Sequence, residues 1–134
     1  MSRESEGINR RLLRAKDLMD RTYPEPLDVT VLARTAVMSQ AHFIREFRRV
    51  FGEPPYRYLQ RRRVERAMFL LRHGSDSVTD ICMAVGFTSL GTFSRTFSAI
   101  VGVSPTQFRL RAQGLPQVAP TAVAMRWNTP SSFD

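Results

Sequence analysis

The sequence predicts an all-α fold of seven helices. Strand signals are missing, because the chain has no sustained alternation of apolar and polar residues and no Asn-Gly or Asp-Gly hairpin turn. Apolar residues instead recur at helical spacing between residues that cap or end helices. The chain also repeats itself at an offset of about 50 residues, and both copies carry the same order of helical signals.

Caps, prolines and glycines set the boundaries of these helices. Asp28 and Ser39 stand where N-caps belong, because short side chains with an oxygen atom accept hydrogen bonds from the first free backbone N–H groups of a helix. Ser104 and Gln107 flank Pro105 with capping-box spacing, which opens the last helix. The predicted helices span 8–20, 29–36, 40–51, 55–73, 78–85, 89–101 and 105–112.

The same signals divide the chain into five segments. Residues 113–134 hold three prolines and a glycine, with no cap followed by a periodic apolar run, and this pattern is typical of a flexible tail. The expected segments are a flexible N-terminus at 1–7, a first subdomain at 8–54, a central helix at 55–73, a second subdomain at 74–112 and the tail at 113–134.

The net charge fits either simple solubility or a polyanionic partner such as DNA, RNA or an anionic membrane, and composition excludes several classes of protein. Twenty Lys and Arg residues face 12 Asp and Glu, a net charge of +8, and all but one of the cations are arginines. No apolar run is long enough to span a bilayer, and the acidic opening of the chain does not fit a signal peptide. One cysteine and two distant histidines predict no disulfide framework, no metal site and no cofactor.

The internal repeat predicts the architecture. Upstream the offset is 49 rather than 50, and this slip falls between a short helix and the longer helix that follows it, where a turn can absorb one residue. The aligned pairs are Ser39 with Ser89, Phe43 with Phe93, Arg45 with Arg95, Phe47 with Phe97, Gly52 with Gly102, Pro55 with Pro105 and Tyr58 with Phe108.

A short helix, a tight turn and a second helix form the helix-turn-helix arrangement. Ala33 and Cys82 supply the small residue where two such helices cross, and a phenylalanine pair anchors each second helix from behind. Arg45 and Arg95 then face solvent at equivalent positions, where an arginine can form a bidentate pair with guanine in the major groove. A solvated helix face explains one such arginine, but two at equivalent positions of a repeat favour DNA.

The motifs resemble those of a known family. The run 81–97, followed by Gly102-Val103-Ser104-Pro105 and Phe108-Arg109, resembles the signature of the DNA-binding domain of the AraC/XylS family of bacterial transcription regulators. The resemblance covers about 8–112. Further matching positions are Ser39, Phe43, Phe47, Gly52, Pro55, Tyr58, Arg63, Ala67, Leu70 and Leu71.

This resemblance implies two helix-turn-helix subdomains joined by the long central helix, and sequence-specific binding to double-stranded DNA. The 19 residues of the central helix would extend about 28 Å, close to the ~34 Å of one DNA turn. Both recognition helices would therefore enter successive major-groove segments. Where the length of the central helix does not match straight DNA, the DNA would bend. We expect a transcription activator that contacts RNA polymerase in the bacterial cytoplasm, at the nucleoid, and that binds as a monomer. The chain also looks like the kind that stands alone without a sensor domain.

The resemblance also implies the residues that contact DNA. Ala41, Ile44 and Gly91 cannot form bidentate base contacts, so Arg45 and Arg95 should carry an unusually large share of the direct readout. The expected base-reading residues are Gln40, Ala41, Ile44, Arg45, Leu90, Gly91, Thr92, Ser94 and Arg95. The expected phosphate-contacting residues are Ser39, Arg48, Arg49, Arg57, Arg61, Arg62, Ser89 and Ser98, although a solvated face competes for each arginine and a structural role competes for Arg61 and Arg62.

Two other functions compete with this interpretation. A basic helical domain could bind DNA non-specifically, or an anionic membrane surface, with specificity supplied by a partner. Some relatives join the same fold to an alkyl-transfer domain with a reactive cysteine, but Cys82 aligns with the buried Ala33 and no base stands near it in sequence, so no enzyme is expected. The sequence leaves open the operator, the sign of regulation, an effector, the oligomeric state and the role of the tail.

Overall fold

A computed structural model describes residues 2–114 of the chain, and within them it contains seven α-helices and no strand. The helices are α1 Arg3–Thr22, α2 Val29–Thr35, α3 Gln40–Phe51, α4 Pro55–His73, α5 Val78–Ala84, α6 Leu90–Val101 and α7 Pro105–Ala112. The predicted all-α class and the number of helices are confirmed. The predicted flexible tail lies outside the described residues from position 115 onward.

Side-chain caps begin the helices where the sequence predicted them. The carboxylate of Asp28 accepts a hydrogen bond from the backbone N–H of Thr30 at 2.7 Å, and this bond holds the pKa of Asp28 below its usual value. Ser77 and Ser104 accept from the backbone N–H groups three residues on, at 3.0 and 3.1 Å. The local chemistry of these positions therefore determines the helix starts.

Helix α1 begins at Arg3, which corrects the expected start at residue 8 and the expectation of a flexible segment at 1–7. The hydroxyl of Ser2 accepts a hydrogen bond from the N–H of Ser5 at 3.1 Å and forms the N-cap. Glu4 and Glu6 then lie in the first turn, where negative side chains stabilise the positive end of the helix dipole. The acidic residues near the beginning of the chain thus belong to the first turn of a helix.

Residues 2–114 form two compact units, the first unit up to Arg62 and the second unit from Arg63 onward, each with its own apolar core. In the first unit α1, α2, α3 and the beginning of α4 bury Leu12, Ala15, Met19, Leu32, Ala33, Ala36, Phe43, Phe47, Tyr58 and Leu59. In the second unit the end of α4 and α5 to α6 bury Val64, Ala67, Leu71, Val78, Ile81, Cys82, Val85, Phe87, Phe93 and Phe97.

Polar contacts fix α4 within each unit. In the first unit the hydroxyl of Tyr58 donates to Asp20 on α1 at 2.5 Å, and burial raises the pKa of this tyrosine, as does its bond to Asp20. In the second unit Arg109 and Gln113 donate to the backbone carbonyl of Leu71, at 3.3 and 3.0 Å. These bonds satisfy one of the carbonyl groups that the C-terminal turn of α4 leaves without a helical partner.

Candidate nucleic-acid interface

In the first unit the four residues 36–39 join α2 to α3 in a tight turn. The N–H of Met38 donates to the carbonyl of Ala33 at 2.9 Å, and the side chain of Ala33 is buried where the predicted crossing needs a small residue. Val37, inside the turn, has a φ of 56°, in the left-handed region that a β-branched residue rarely adopts. The turn is therefore closed and locally strained.

In the second unit the five residues 85–89 join α5 to α6. The N–H of Phe87 donates to the carbonyl of Cys82 at 3.1 Å, and Cys82 is buried at the position equivalent to Ala33. Gly86 takes the left-handed position here, with a φ of 104°. The turn is one residue longer than its counterpart, so the slip in the repeat lies in the turn, where the sequence placed it.

The second helix of each motif, α3 or α6, is held by a pair of buried phenylalanines. The ring centroids of Phe43 and Phe47 on α3 are 5.7 Å apart at 57°, and those of Phe93 and Phe97 on α6 have the same separation and angle. The second ring of each pair also meets an aromatic ring of the following helix nearly edge-on, at 5.8 and 5.7 Å. The two copies of the repeat thus share the interior geometry that fixes which face of α3 and α6 reaches solvent.

Ser39 and Ser89 are the N-caps of α3 and α6. Their hydroxyls accept hydrogen bonds from the backbone N–H groups of His42 and Thr92, both at 3.2 Å. Each cap uses a lone pair of the hydroxyl oxygen and leaves the O–H free to donate. Both side chains are exposed, at the positively polarised end of a helix.

The outer face of α3 carries most of the expected base-reading residues of the first unit. Ala41 and Arg45 are exposed, and Ile44 retains 39% of its surface. Gln40 is also exposed, but its side-chain amide donates to the hydroxyl of Thr30 on α2 at 2.8 Å. Gln40 therefore braces the two helices of the motif in the free protein.

The expected base-reading residues of the second unit lie around Arg95. Arg95 is exposed, and its Nη2 lies 3.5 Å from the hydroxyl of Thr92, which sits one turn earlier. A Cβ atom on Gly91 would lie 3.3 Å from Nη1 of Arg95, so the missing side chain of this glycine makes room for the guanidinium. Leu90, Gly91 and Thr92 are half-buried.

Ser94 does not reach the surface, which corrects its place among the expected base-reading residues. Its side chain is only 3% exposed, whereas the equivalent Ile44 reaches solvent. Helical projection places Ser94 on the flank of α6, where a serine is too short to reach beyond larger neighbouring side chains.

The residues expected to contact phosphate differ in their exposure to solvent and in whether they already form an ion pair within the protein. Arg48 and Arg57 are exposed and form no ion pair with any residue of the described part of the chain. Arg49 is bound to Glu46 on the same helix through two hydrogen bonds of 3.1 and 3.2 Å, and these bonds lower the pKa of Glu46. Ser98 is half-buried near the end of α6.

Arg61 and Arg62 are bound within the fold. Arg61 contacts Glu53 at 2.9 Å and its guanidinium lies over the ring of Tyr58, while Arg62 donates to Asp20 at 3.2 Å. The sequence indicated a structural role for both arginines but did not identify their carboxylate partners, Glu53 and Asp20. Asp20 is 42 residues from Arg62, and no periodic pattern links positions so far apart.

Burial argues against a nucleophilic role for Cys82. Burial raises the pKa of the Cys82 thiol, so the reactive thiolate is disfavoured at neutral pH.

No cluster of His, Cys, Asp and Glu side chains within residues 2–114 could hold a metal ion. In the same stretch, no helix is both long and apolar enough to cross a membrane.

Two units in which a tight turn joins a short helix to an anchored second helix define the class of helix-turn-helix DNA-binding domains. A family described as "Helix-turn-helix domain" matches residues 32–111. The chain is similar to a solved transcriptional regulator with an AraC-type DNA-binding domain from Chromobacterium violaceum, with a TM-score of 0.72 and 30% identity over 80% of this chain and 96% of that one. The chain belongs to the AraC family of helix-turn-helix transcription regulators.

Further relatives agree with this family. The chain resembles the DNA-binding domain of AdpA, a global transcriptional factor solved in complex with a target DNA, with a TM-score of 0.74 and 30% identity over 78% of this chain and 94% of that one. It is 42% identical over 78 residues to a helix-turn-helix-type transcriptional regulator of Mycobacterium tuberculosis, which is 58% of this chain and 30% of the relative. It is 34% identical over 87 residues to the transcriptional activator RhaS of Escherichia fergusonii, 65% of this chain and 31% of that protein. The chain thus spans about a third or less of the curated relatives it matches.

Proposed function

We propose that this chain binds double-stranded DNA sequence-specifically and regulates transcription by inserting α3 and α6 into successive major-groove segments. The observation that carries the proposal is the repeated outer face, with Arg45 and Arg95 exposed at equivalent positions over identically packed phenylalanine pairs. The likeness to a domain solved with its target DNA supports the same conclusion.

Arg45 and Arg95 are the main base-reading residues of this proposal, because each can donate two hydrogen bonds to the O6 and N7 atoms of a guanine. Ala41 and Ile44 add apolar contact with thymine methyl groups. Gly91 allows α6 to approach the base edges closely. The remaining base-reading residues of the proposal are Gln40, Leu90 and Thr92.

Phosphate contacts come from the free cations and from the two helix N-termini. Arg48 and Arg57 are exposed, and Arg49 reaches a phosphate if it leaves Glu46. The capping hydroxyls of Ser39 and Ser89 donate to phosphate oxygens from the positive ends of their helices. Ser98 is the remaining phosphate candidate, whereas Arg61 and Arg62 act as positioning residues within the first unit.

The proposal also covers the oligomeric state, the location in the cell and the sign of regulation. Two reading units in one chain remove the need for a dimer, so the chain binds as a monomer on an asymmetric site. We place it in the bacterial cytoplasm, at the nucleoid, as an activator that contacts RNA polymerase. Activation is supported by the likeness to RhaS, which is named an activator.

Selection from randomised duplex DNA, followed by footprinting at two salt concentrations, tests the proposal. The expected result is two unlike short boxes one helical turn apart, bound with a steep salt dependence. A palindromic site would contradict monomeric binding and indicate a dimer that uses one unit per subunit. Salt-sensitive binding to every duplex without enrichment would overturn sequence-specific recognition.

A further inference from the structure

A second cationic surface lies beside the first recognition helix. Arg10, Arg11 and Arg14 of α1 and His42 of α3 line an open concavity of about 410 Å³ in the first unit. Arg10 and Arg14 are exposed, and Arg11 and His42 are half-buried. Glu4 is the one carboxylate in the lining, so the concavity carries an excess of positive charge.

The arginines of this surface lack the ion pairs that the rest of α1 forms. In the second half of the helix, Lys16 and Arg21 each pair with a carboxylate one turn away, at 3.4 and 3.0 Å. Arg10 and Arg14 form no ion pair with any of residues 2–114, and they lie one turn apart on the same face of α1. Two like charges at this spacing oppose helix formation, and a bound anion would relieve the repulsion.

Arg11 connects this surface to the turn of the first helix-turn-helix motif. Its Nη1 donates to the backbone carbonyl of Val37 at 3.3 Å, in the turn that leads into α3. His42 lies in the first turn of α3 itself. A molecule seated in the concavity therefore lies next to the N-terminal end of the recognition helix.

We propose that Arg10, Arg11 and Arg14 form a phosphate-binding surface that extends the DNA contact of the first unit beyond α3. This inference rests on the proposed DNA binding. Arginine suits the role, because its planar guanidinium binds two oxygens of a phosphate at once. DNA is the occupant that the position favours, since the surface adjoins the helix assigned to the major groove. Glu4 faces the same concavity and weakens the contact.

The test compares the double variant Arg10→Gln/Arg14→Gln with wild type for binding to the selected site and to a random duplex, between about 50 and 200 mM salt. The plot of log K against log salt concentration should become less steep by about 0.9 for each phosphate that the variant no longer neutralises, or about 1.8 in all. Both duplexes should lose affinity by the same factor, because phosphate contacts carry no sequence information. Glu4→Gln should bind both duplexes more tightly.

The matched control is Arg21→Gln/Arg111→Gln, which removes the same charge from two exposed positions that do not line the concavity. A salt slope of Arg10→Gln/Arg14→Gln equal to that of the control would overturn the proposal. A selective loss on the specific site would overturn it too, by assigning these residues to base readout. Binding of inorganic phosphate with an unchanged DNA slope would indicate a small-anion site instead of a DNA contact. If the wild-type protein shows no preference for any duplex, the proposed sequence-specific binding is refuted. The difference in salt slope between Arg10→Gln/Arg14→Gln and the control still tests the phosphate-binding surface in that case.

Discussion

Val37 offers a test of the turn geometry, because its counterpart in the repeat is a glycine. Its φ of 56° costs an L-residue about 1–2 kcal/mol, and its side chain is 67% exposed, so little burial offsets that cost. Val37→Gly removes the strain but adds about 0.5–1 kcal/mol of conformational freedom to the unfolded chain. We expect a net stabilisation of about 0.5–1 kcal/mol.

Urea unfolding followed by circular dichroism measures the effect, and Val37→Ala is the control. Alanine removes the exposed side chain but keeps most of the left-handed cost, so its stability should stay closer to that of wild type. The reverse change, Gly86→Val, should destabilise the protein by about 2 kcal/mol or more, because φ at Gly86 is 104°. Unchanged or lower stability in Val37→Gly, or full tolerance of Gly86→Val, would refute the reasoning.

Three further outcomes are expected. Arg45→Ala and Arg95→Ala should each cost ~1–3 kcal/mol on the selected site and relax preference at one base pair, whereas an equal loss on random DNA would make them phosphate contacts. Gly91→Ala should stabilise α6 by up to about 1 kcal/mol yet weaken specific binding, because the new Cβ would lie 3.3 Å from Nη1 of Arg95; unchanged specificity in a binding assay would contradict this. Asp28 has a lowered pKa, so its stabilising effect is full above its usual value of 3.8 and is lost as pH falls through the lower folded value. The stability curves of Asp28→Asn and wild type should therefore converge as pH falls below about 4, and a constant gap would show that the ionised carboxylate contributes nothing.

The fold could be predicted because its boundaries depend on local chemistry. A cap such as Ser39 bonds a backbone group three residues away, and Gly52 ends α3 with a φ of 82°, so neighbouring residues determine both ends of that helix. The repeat then supplied a second copy of each signal. The predicted start of α1 was wrong because the prediction depended on the apolar stripe, which begins after Ser2 and the acidic first turn.

Contacts between distant positions explain what the sequence could not predict in the candidate site. The bracing of Gln40 by Thr30, the ion pair of Arg61 with Glu53 and the burial of Ser94 all depend on packing between elements. Helical projection assigns a residue to a face or a flank but does not say which neighbour covers it. Outward-facing arginines such as Arg45 were placed correctly at the surface because their positions lie directly opposite the buried phenylalanines.

The shared interior of the two units has a consequence for how such a regulator can change its target. Phe47 packs on Tyr58 as Phe97 packs on Phe108, at nearly equal distances, so the two units share the interior packing behind α3 and α6. The outer faces have meanwhile diverged, with three arginines on α3 and one on α6. A substitution on one outer face therefore leaves the interior of either unit intact. If each unit reads one half of a DNA site, as proposed, changes in one half can be matched by changes in one unit alone, so the two halves of the site are free to evolve separately.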